Sequence, residues 1–402
     1  MNILRKIWCR SYQTVFYLAQ PLLPYRDPEV HETIDDIPEI LRRNNVNKVM
    51  LVTDNGLVKA GLAKRVEDVL SGAGMSYVTF SDTVPNPTID NVEAARRLFM
   101  ESGAEAFVAL GGGSSMDCAK AAAARVVSKK HIPQMRGILK IHKRLPLIIA
   151  IPTTAGTGSE ATVTTVITDG EKNYKYPISD FCLIPRYAIL DYSLTTGLPQ
   201  KMTSTTGMDA LTHAVEAYIG RSLNKTSAAN AEKATTLINK YLYRAYLDGN
   251  DAEARQNMLR ASFHAGLAFS MSYVGNIHGV AHSLGGKYGT PHGLANAVLL
   301  PIVLREYGPV VYPKLATLAR KAGVIEHGLD DETTAKRFIS WIQEMNDKMD
   351  IPRTLSGINE ADIPEMAAYA DAEVNPTYPV PVMWDKVELQ KLYHLAMVGN
   401  AD

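Results

Sequence analysis

Two kinds of sequence meet near residue 198, and that junction limits the folds open to this chain. From about residue 45 to 191, short β-branched or apolar runs alternate with helical stretches, the pattern of a parallel α/β sheet. Val49 to Thr53, Tyr77 to Phe80, Ala106 to Leu110, Leu147 to Ile151, Thr162 to Thr168 and Ala188 to Leu190 read as its strands. Asn91 to Ser102 and Ser115 to Ser128 read as helices between them. After Asp191 these runs stop and long Ala-, Leu- and Met-rich segments take over, including 203–219, 226–246, 252–271 and 330–349. No strand is expected there. Gly197-Leu198-Pro199 punctuates the change. The expected organisation is an α/β domain over residues 1–197, with an N-terminal extension over 1–30, and an all-helical domain over 198–402. A chain of 402 residues also exceeds what one hydrophobic core usually serves.

The extension carries Arg5, Lys6 and Arg10, then an apolar run from Val15 to Ala19 that breaks at Gln20-Pro21. That run is too short to span a bilayer, which takes about 20 apolar residues. Pro-Leu-Leu-Pro-Tyr-Arg beyond it does not read as a signal-peptide cleavage site. Trp8, Tyr12 and Phe16 recur every four residues, so the segment reads as one amphipathic helix, docked on the protein body or, as the alternative, serving a membrane-surface or secretory role. Lys plus Arg and Asp plus Glu each total 42, and a neutral chain is a poor binder of nucleic acid. Three scattered cysteines, Cys9, Cys118 and Cys182, argue against a disulfide framework and for a reducing, cytoplasmic setting.

Two loops look built for phosphates. Phe107-Val108-Ala109-Leu110 runs straight into Gly111-Gly112-Gly113-Ser114 and then an Ala-rich helix. Such a turn aims backbone N–H groups and a positive helix end at one point. A second small-residue loop, Thr153-Thr154-Ala155-Gly156-Thr157-Gly158-Ser159, follows the strand that ends at Ile151. Strand C-termini of an open parallel sheet share one edge, so both loops can face one ligand. Neither matches GxGxxG, and either alone reads equally well as a plain tight turn. Asp54, at the end of a strand, is either a turn residue or an acid placed to hydrogen-bond an adenosine ribose. In the usual fingerprint that acid follows the glycines, whereas here it precedes them.

The helical half carries the histidines. Asp209 and His213 stand four apart on one helical face, His278 and His282 repeat that spacing, and His292 follows in a Gly-Thr-Pro-His-Gly turn. One carboxylate with two or three imidazoles suits Fe(II), Zn(II) or a neighbouring divalent ion. Five candidates exceed a three- or four-ligand site, so one of them serves as a proton relay or cofactor contact. His264 stands alone and reads as a core histidine. A dinucleotide edge combined with a metal points to hydride chemistry, in which a metal-bound alkoxide expels hydride toward nicotinamide.

With these residues in hand, the sequence resembles the iron-containing (group III) alcohol dehydrogenases. The matching segments are Thr53-Asp54, Pro85-Asn86-Pro87-Thr88, Gly111 to Ser114 with Asp117 and Lys120, and Pro152 to Glu160. In the helical half they are Gly207-Met208-Asp209-Ala210-Leu211-Thr212-His213-Ala214-Val215-Glu216-Ala217-Tyr218, and His278 through His292-Gly293. The resemblance implies a Rossmann-like α/β N-terminal domain plus an all-α C-terminal domain, the dehydroquinate synthase-like fold, with the active site in the cleft between them. It implies metal ligands Asp209, His213, His278 and His292, with His282 beside the nicotinamide as a proton-relay or positioning group. Cofactor contacts would fall on Asp54, Asn86, Gly112, Gly113, Ser114, Thr153, Thr154, Thr162, Thr164, Lys175, Leu194 and Gly197. Asp54 would repel a 2′-phosphate, which favours NAD over NADP.

The implied activity is a metal-dependent, NAD-linked alcohol dehydrogenase or aldehyde reductase (EC 1.1.1.-, with 1.1.1.1 the first expectation), using Fe(II) or Zn(II). A small alcohol or aldehyde would be its substrate and a homodimer its assembly. The alternatives are a glycerol- or hydroxyacid-type dehydrogenase of the same superfamily, and a nucleotide- and metal-binding assembly protein without turnover. Residues near Met271 to Gly275 and Trp384 are expected to line the substrate pocket. The first 40 residues and the tail near Asn375-Pro376-Thr377-Tyr378-Pro379 match the family less closely.

Overall fold

Strand β2 (Lys48–Val52) alternates Val49 and Leu51 on one face with Met50 and Val52 on the other, and all four are fully buried. Burial on both faces is what helices on either side of a parallel sheet require. In the computed structural model, which describes residues 1–171 and 174–398, β2 lies inside a six-stranded parallel sheet. The order is β1-β9-β6-β4-β2-β3, with β1 (Glu29–His31), β3 (Ser76–Phe80), β4 (Ala106–Gly111), β6 (Leu147–Pro152) and β9 (Tyr187–Ile189). Val49 and Leu51 join Val108, Leu110, Ile149, Ile151 and Ile189 in one apolar layer. On the opposite face Phe107 stacks on Phe99 of helix Ile89–Ser102, with ring centroids 4.2 Å apart.

The chain lays down β2 and β3 and then crosses back to place β4 on the other side of β2. That reversal is a topological switch point, where open α/β sheets bind ligands at the strand C-termini. Asp54 and the Gly111–Gly113 turn sit at those two C-termini.

One strand departs from expectation. Residues 162–168 were expected in the parallel sheet, but β7 (Thr164–Asp169) pairs antiparallel with β8 (Tyr174–Ser179). Together with β5 (Gly137–Ile138) they form a separate three-stranded sheet in the order β5-β8-β7. The register Asp169↔Tyr174 closes β7 and β8 as a hairpin, which joins neighbouring strands only antiparallel.

Residues 25–196 form one compact unit. The other combines the chain from Gly197 onward with Met1–Pro24, so the first 24 residues belong with the helices and not, as expected, with the α/β domain. Side-chain hydrogen bonds explain this. In helix Ile3–Ala19, Arg5 donates two hydrogen bonds to the Asp371 carboxylate (2.8 Å each), Arg10 donates to the carbonyls of Val380 and Pro381, and Gln13 donates to those of Pro376 and Tyr378.

Among the described residues no strand follows Ile189. The four expected helices appear as Gln200–Ile219, Lys225–Leu247, Ala252–Ser272 and Asp331–Lys348. Helices Asn276–Tyr288, His292–Tyr307, Tyr312–Lys321, Ile363–Val374 and Lys386–Val398 complete the unit. Helix Gln200–Ile219 is buried on every side from Gly207 onward, so it is the axis on which the others pack. Close approach is made possible by glycine. A Cβ on Gly207 would lie 2.2 Å from Leu242 Cδ1, and one on Gly293 would lie 2.4 Å from the Thr205 carbonyl oxygen.

Candidate metal centre and cofactor edge

Asp209 and His213 project from the buried axial helix, His278 and His282 from helix Asn276–Tyr288, and His292 opens the next helix. The Gly293–Thr205 approach sets helix His292–Tyr307 close against the axial helix, which brings His292 toward Asp209 and His213. Asp209, His213, His278 and His292 each offer a ligand atom, and these four atoms lie within 4.8 Å of one another. His292 Nε2 is 3.6 Å and His278 Nε2 3.9 Å from Asp209 Oδ1. Two donors bound tetrahedrally at about 2.1 Å stand about 3.4 Å apart, so the set fits a divalent ion with only small adjustment. A carboxylate and three imidazoles match Fe(II) or Zn(II) by chemistry as well. His213 is held between the rings of Phe269 (4.3 Å) and His278 (4.5 Å), both stacked.

His282 is not in that group of four. Its ring lies 5.1 Å from that of His292 and 6.0 Å from that of His278. Of the five candidates, then, four converge on one point and the fifth stands beside them.

Each histidine of helix Asn276–Tyr288 has its own carboxylate, and neither partner was read from the sequence. His278 Nδ1 lies 2.6 Å from Glu216 Oε2, while Glu216 Oε1 accepts from the Ile277 N–H at 2.9 Å. His282 Nδ1 lies 2.7 Å from Glu373 Oε1, which also accepts from the Tyr378 hydroxyl at 2.8 Å. A carboxylate beside Nδ1 fixes the proton there and leaves Nε2 with its lone pair. Burial pushes the Glu216 carboxyl up to about 7. Gly275 is needed beside it, because a Cβ there would lie 2.7 Å from Glu216 Oε1. A third missed residue is Asn296, whose Nδ2 lies 2.6 Å from Asp209 Oδ1, 3.0 Å from His278 Nε2 and 3.2 Å from His292 Nε2.

Glu216 and Asn296 had a signal: Glu216 is three residues after His213 and Asn296 four after His292, both same-face helical spacings. Glu373 had none, being 91 residues from its partner. His264, expected as a core histidine, is half-buried and meets Asn230 Oδ1 at 2.8 Å. Of the expected pocket residues, Trp384 stacks on Tyr307 with centroids 4.8 Å apart, and Tyr273 packs edge-on against Phe16.

In the α/β unit Asp54, Gly112 to Ser114, and Thr153 and Thr154 follow the C-terminal ends of β2, β4 and β6, whereas Thr164 and Lys175 lie on β7 and β8 of the second sheet and Gly197 begins the other unit. Gly112 caps the helix Gly113–Val127, and the second loop crosses close above: a Cβ on Gly113 would lie 2.9 Å from Thr157 Cγ2, and one on Gly112 3.3 Å from Thr154 Oγ1. The backbone thus lies bare where a pyrophosphate would approach. Thr153 N–H bonds the Gly111 carbonyl, which ties the two loops together. Asn86, at φ +55°, accepts from Lys175 Nζ at 2.9 Å and donates its backbone N–H to Ser114 Oγ. Buried Lys120 donates to the Thr162 carbonyl and hydroxyl and to the Thr164 carbonyl. Asp117 accepts from Ser159 Oγ and the Val166 N–H. Lys120 and Asp117 therefore brace the cradle. Asp54 Oδ1 caps helix Asn55–Lys59 by accepting from the Leu57 N–H, so it also serves the turn. Leu194 is buried, and Gly197 takes φ +79°.

The chain is similar to known proteins along most of its length. The family described as "Iron-containing alcohol dehydrogenase" matches residues 30–192, and "Fe-containing alcohol dehydrogenase family, C-terminal" matches residues 203–397. The chain is 37% identical over 364 residues to "Alcohol dehydrogenase 4" of Saccharomyces cerevisiae, covering 90% of this chain and 92% of the yeast protein. It is 34% identical over 343 residues to "NAD-dependent methanol dehydrogenase" of Bacillus methanolicus, covering 85% and 90%. A solved 1,3-propanediol oxidoreductase superposes with a TM-score of 0.88 at 35% identity, over 93% of this chain and 99% of that one.

Proposed function

The chain belongs to the iron-containing alcohol dehydrogenase family, and we propose that it interconverts small primary alcohols or diols and their aldehydes with NAD, as a homodimer in the cytoplasm. The observation that carries this reading is the convergence of Asp209, His213, His278 and His292. Their donor set accepts a divalent ion, and the chemistry such an ion supplies is Lewis-acid polarisation of the substrate oxygen. The remaining work falls to side chains. Glu216 orients His278 through Nδ1, and Asn296 Nδ2 donates to Asp209 Oδ1.

His282 is the group that moves the proton. Glu373 keeps a proton on Nδ1, so Nε2 is free to take the hydroxyl proton of the alcohol as the carbon gives up its hydride. The balance is RCH2OH + NAD+ → RCHO + NADH + H+, with two electrons leaving carbon as hydride and the proton leaving through His282. The cofactor's pyrophosphate is assigned to the N–H groups of Gly112, Gly113 and Ser114 with Thr153 and Thr154 opposite. Asn86, Thr162, Thr164, Lys175, Leu194 and Gly197 complete the assigned contacts. Asp54 at the switch point favours a ribose with a free 2′-hydroxyl, hence NAD.

Relatives bearing methanol and propanediol names support the small-substrate reading. No single helix among the described residues is long and apolar enough to cross a membrane. The test is NADH absorbance with C1 to C4 primary alcohols and propanediols after anaerobic loading with Fe(II) or Zn(II). Turnover with at least one alcohol is expected. No turnover with either metal, together with no NAD-induced thermal shift, would leave the non-catalytic reading standing instead.

A further inference from the structure

The strands of the six-stranded sheet have two ends, and the glycine and threonine loops occupy only the C-terminal one. At the other end, where β2, β4, β6 and β9 begin, lies a cavity of about 510 Å³. Every residue that lines it belongs to the α/β unit. Its floor is apolar, with Val46, Ile148 and Ile184 at most 7% exposed. Its rim sets three exposed cations, Arg26, Arg144 and Arg186, against a single carboxylate, Glu105.

Those cations have no counter-ion among the described residues. Arg26 donates to the carbonyls of Ile184 and Pro185, which fixes its guanidinium and leaves its charge uncompensated. Burial and the charge of Arg186 both weaken the hold of Arg26 on its proton, so the two guanidinium groups lie close enough to repel each other. Arg186 reaches the Tyr187 hydroxyl, and Arg144 has no hydrogen bond or ion pair among the described residues. Other surface arginines do find carboxylates: Arg43 pairs with Glu29, Arg244 with Asp251 and Glu253, and Arg320 with Asp331. Glu105 shows what this end of the sheet attracts. Its Oε2 accepts from the N–H groups of Asn47 (2.6 Å) and Lys48 (3.3 Å) at the start of β2, and it forms no ion pair with the three arginines.

We infer that this cavity binds a small phosphate monoester with an organic body, at a site separate from the cofactor's. Charge alone would suit any anion, and the shape narrows the choice. The volume falls in the range of small-molecule pockets and exceeds what a bare phosphate fills. Planar guanidinium groups match phosphate oxygens two at a time, and the apolar floor receives the carbon skeleton of the ester. Asn45, held at φ +55°, brings to the wall a side-chain amide without a partner among the described residues, suited to the hydroxyl groups of a sugar. β4 and β6 are six residues long, so about 20 Å separates this cavity from the loops beyond the same strands. Its occupant and NAD therefore bind together.

The test is calorimetric titration of the full chain with AMP, fructose 6-phosphate and inorganic phosphate, with NAD at saturation so that the cofactor loops are filled. At least one ester should bind with a Kd below about 1 mM at about 0.15 M salt, and at least about tenfold more tightly than inorganic phosphate. Which ester binds distinguishes a nucleotide from a sugar phosphate. Arg144→Ala should weaken that binding about tenfold or more, the loss expected of one hydrogen bond to a charged group. Because Arg144 has no partner to lose, this variant should keep the circular dichroism, unfolding temperature and NAD affinity of the unaltered protein. Arg144→Ala/Arg186→Ala should weaken ester binding further. Absence of ester binding below about 1 mM, inorganic phosphate binding as tightly as the esters, or ester binding unchanged in both variants would each overturn the site.

Discussion

Replacing Glu216 with Gln isolates what the carboxylate does for His278. The carboxylate only accepts hydrogen bonds, and those it takes include Ile277 N–H at 2.9 Å and His278 Nδ1 at 2.6 Å. An amide of the same shape has one oxygen and one NH2, so whichever way it turns, one of those donors meets another donor. The backbone N–H cannot move its proton, but the imidazole can. Turning the amide oxygen toward Ile277 drives the His278 proton from Nδ1 to Nε2, the atom 3.9 Å from Asp209 Oδ1 that carries the ligand lone pair. The loss should be that of an orienting partner, about 10–100-fold in metal affinity, or about 1.4–2.7 kcal/mol.

Fold stability should move less. Burial pushes Glu216 up to about 7, so at pH 8 the native protein holds a buried charge that Gln removes, offsetting part of the unsatisfied donor's cost of about 1–3 kcal/mol. Two measurements separate these effects: Co(II) affinity by chelator competition at pH 8, and thermal unfolding of the metal-free protein. Nitrogen-15 imidazole spectra of the metal-free protein should show the Nδ1-protonated tautomer of His278 lost. A Co(II) affinity within about threefold of the unaltered protein would refute the orienting role, whatever the unfolding temperature does.

Three further substitutions probe the remainder of the site and the cradle. His213→Ala should lose stoichiometric metal and turnover together, while His282→Ala should keep its metal and turn over at least about 100-fold more slowly; metal analysis paired with kinetics checks both, and full metal in the first would contradict its assignment as a ligand. Asp54→Ser keeps a side-chain cap for helix Asn55–Lys59 but removes the charge, so kcat/KM for NADP relative to NAD should rise about tenfold or more, and an unchanged ratio would remove Asp54 from cofactor choice. Glu160, fully buried with neither carboxylate oxygen hydrogen-bonded, is raised to about 7 by burial. A carboxyl raised in the native state stabilises most below its unfolded value near 4.5, and that contribution is lost as pH rises through 7, at up to about 1.4 kcal/mol per pH unit. Glu160→Gln should therefore lose less thermal stability than the unaltered protein between pH 5 and pH 8, and parallel curves would show that Glu160 does not titrate there.

Local patterns survive folding where one element settles them, and fail where a distant one does. The alternation of β-branched runs located β2, β3, β4, β6 and β9 because burial on both faces demands continuous apolar strands. It misplaced β7, since a strand's sequence does not tell whether its neighbour lies across a helix or across a hairpin. The Trp8, Tyr12, Phe16 spacing revealed a helix but not its orientation. Phe16 packs inward against Tyr273, but Trp8 is exposed, and Arg10 and Gln13 take the backbone carbonyls over 376–381.

The histidines show the same limit more sharply. His278 and His282 are one helical turn apart, similarly buried and each bonded through Nδ1 to a carboxylate, so nothing within their helix distinguishes the proposed ligand from the proposed proton carrier. What differs is where the carboxylate comes from. Glu216 lies on the same helix as Asp209 and His213, so His278 is tied to the two side chains with which it converges. Glu373 lies on helix Ile363–Val374 and also accepts from Tyr378, so His282 is tied to the chain's tail, away from that point. Tyr378 lies in the segment whose carbonyls receive Arg10 and Gln13 of the N-terminal helix. Thus the N-terminal helix is joined through that segment and Glu373 to the histidine proposed to carry the proton, whereas the proposed ligands Asp209, His213 and His278 are tied to one another through Glu216 and its helix.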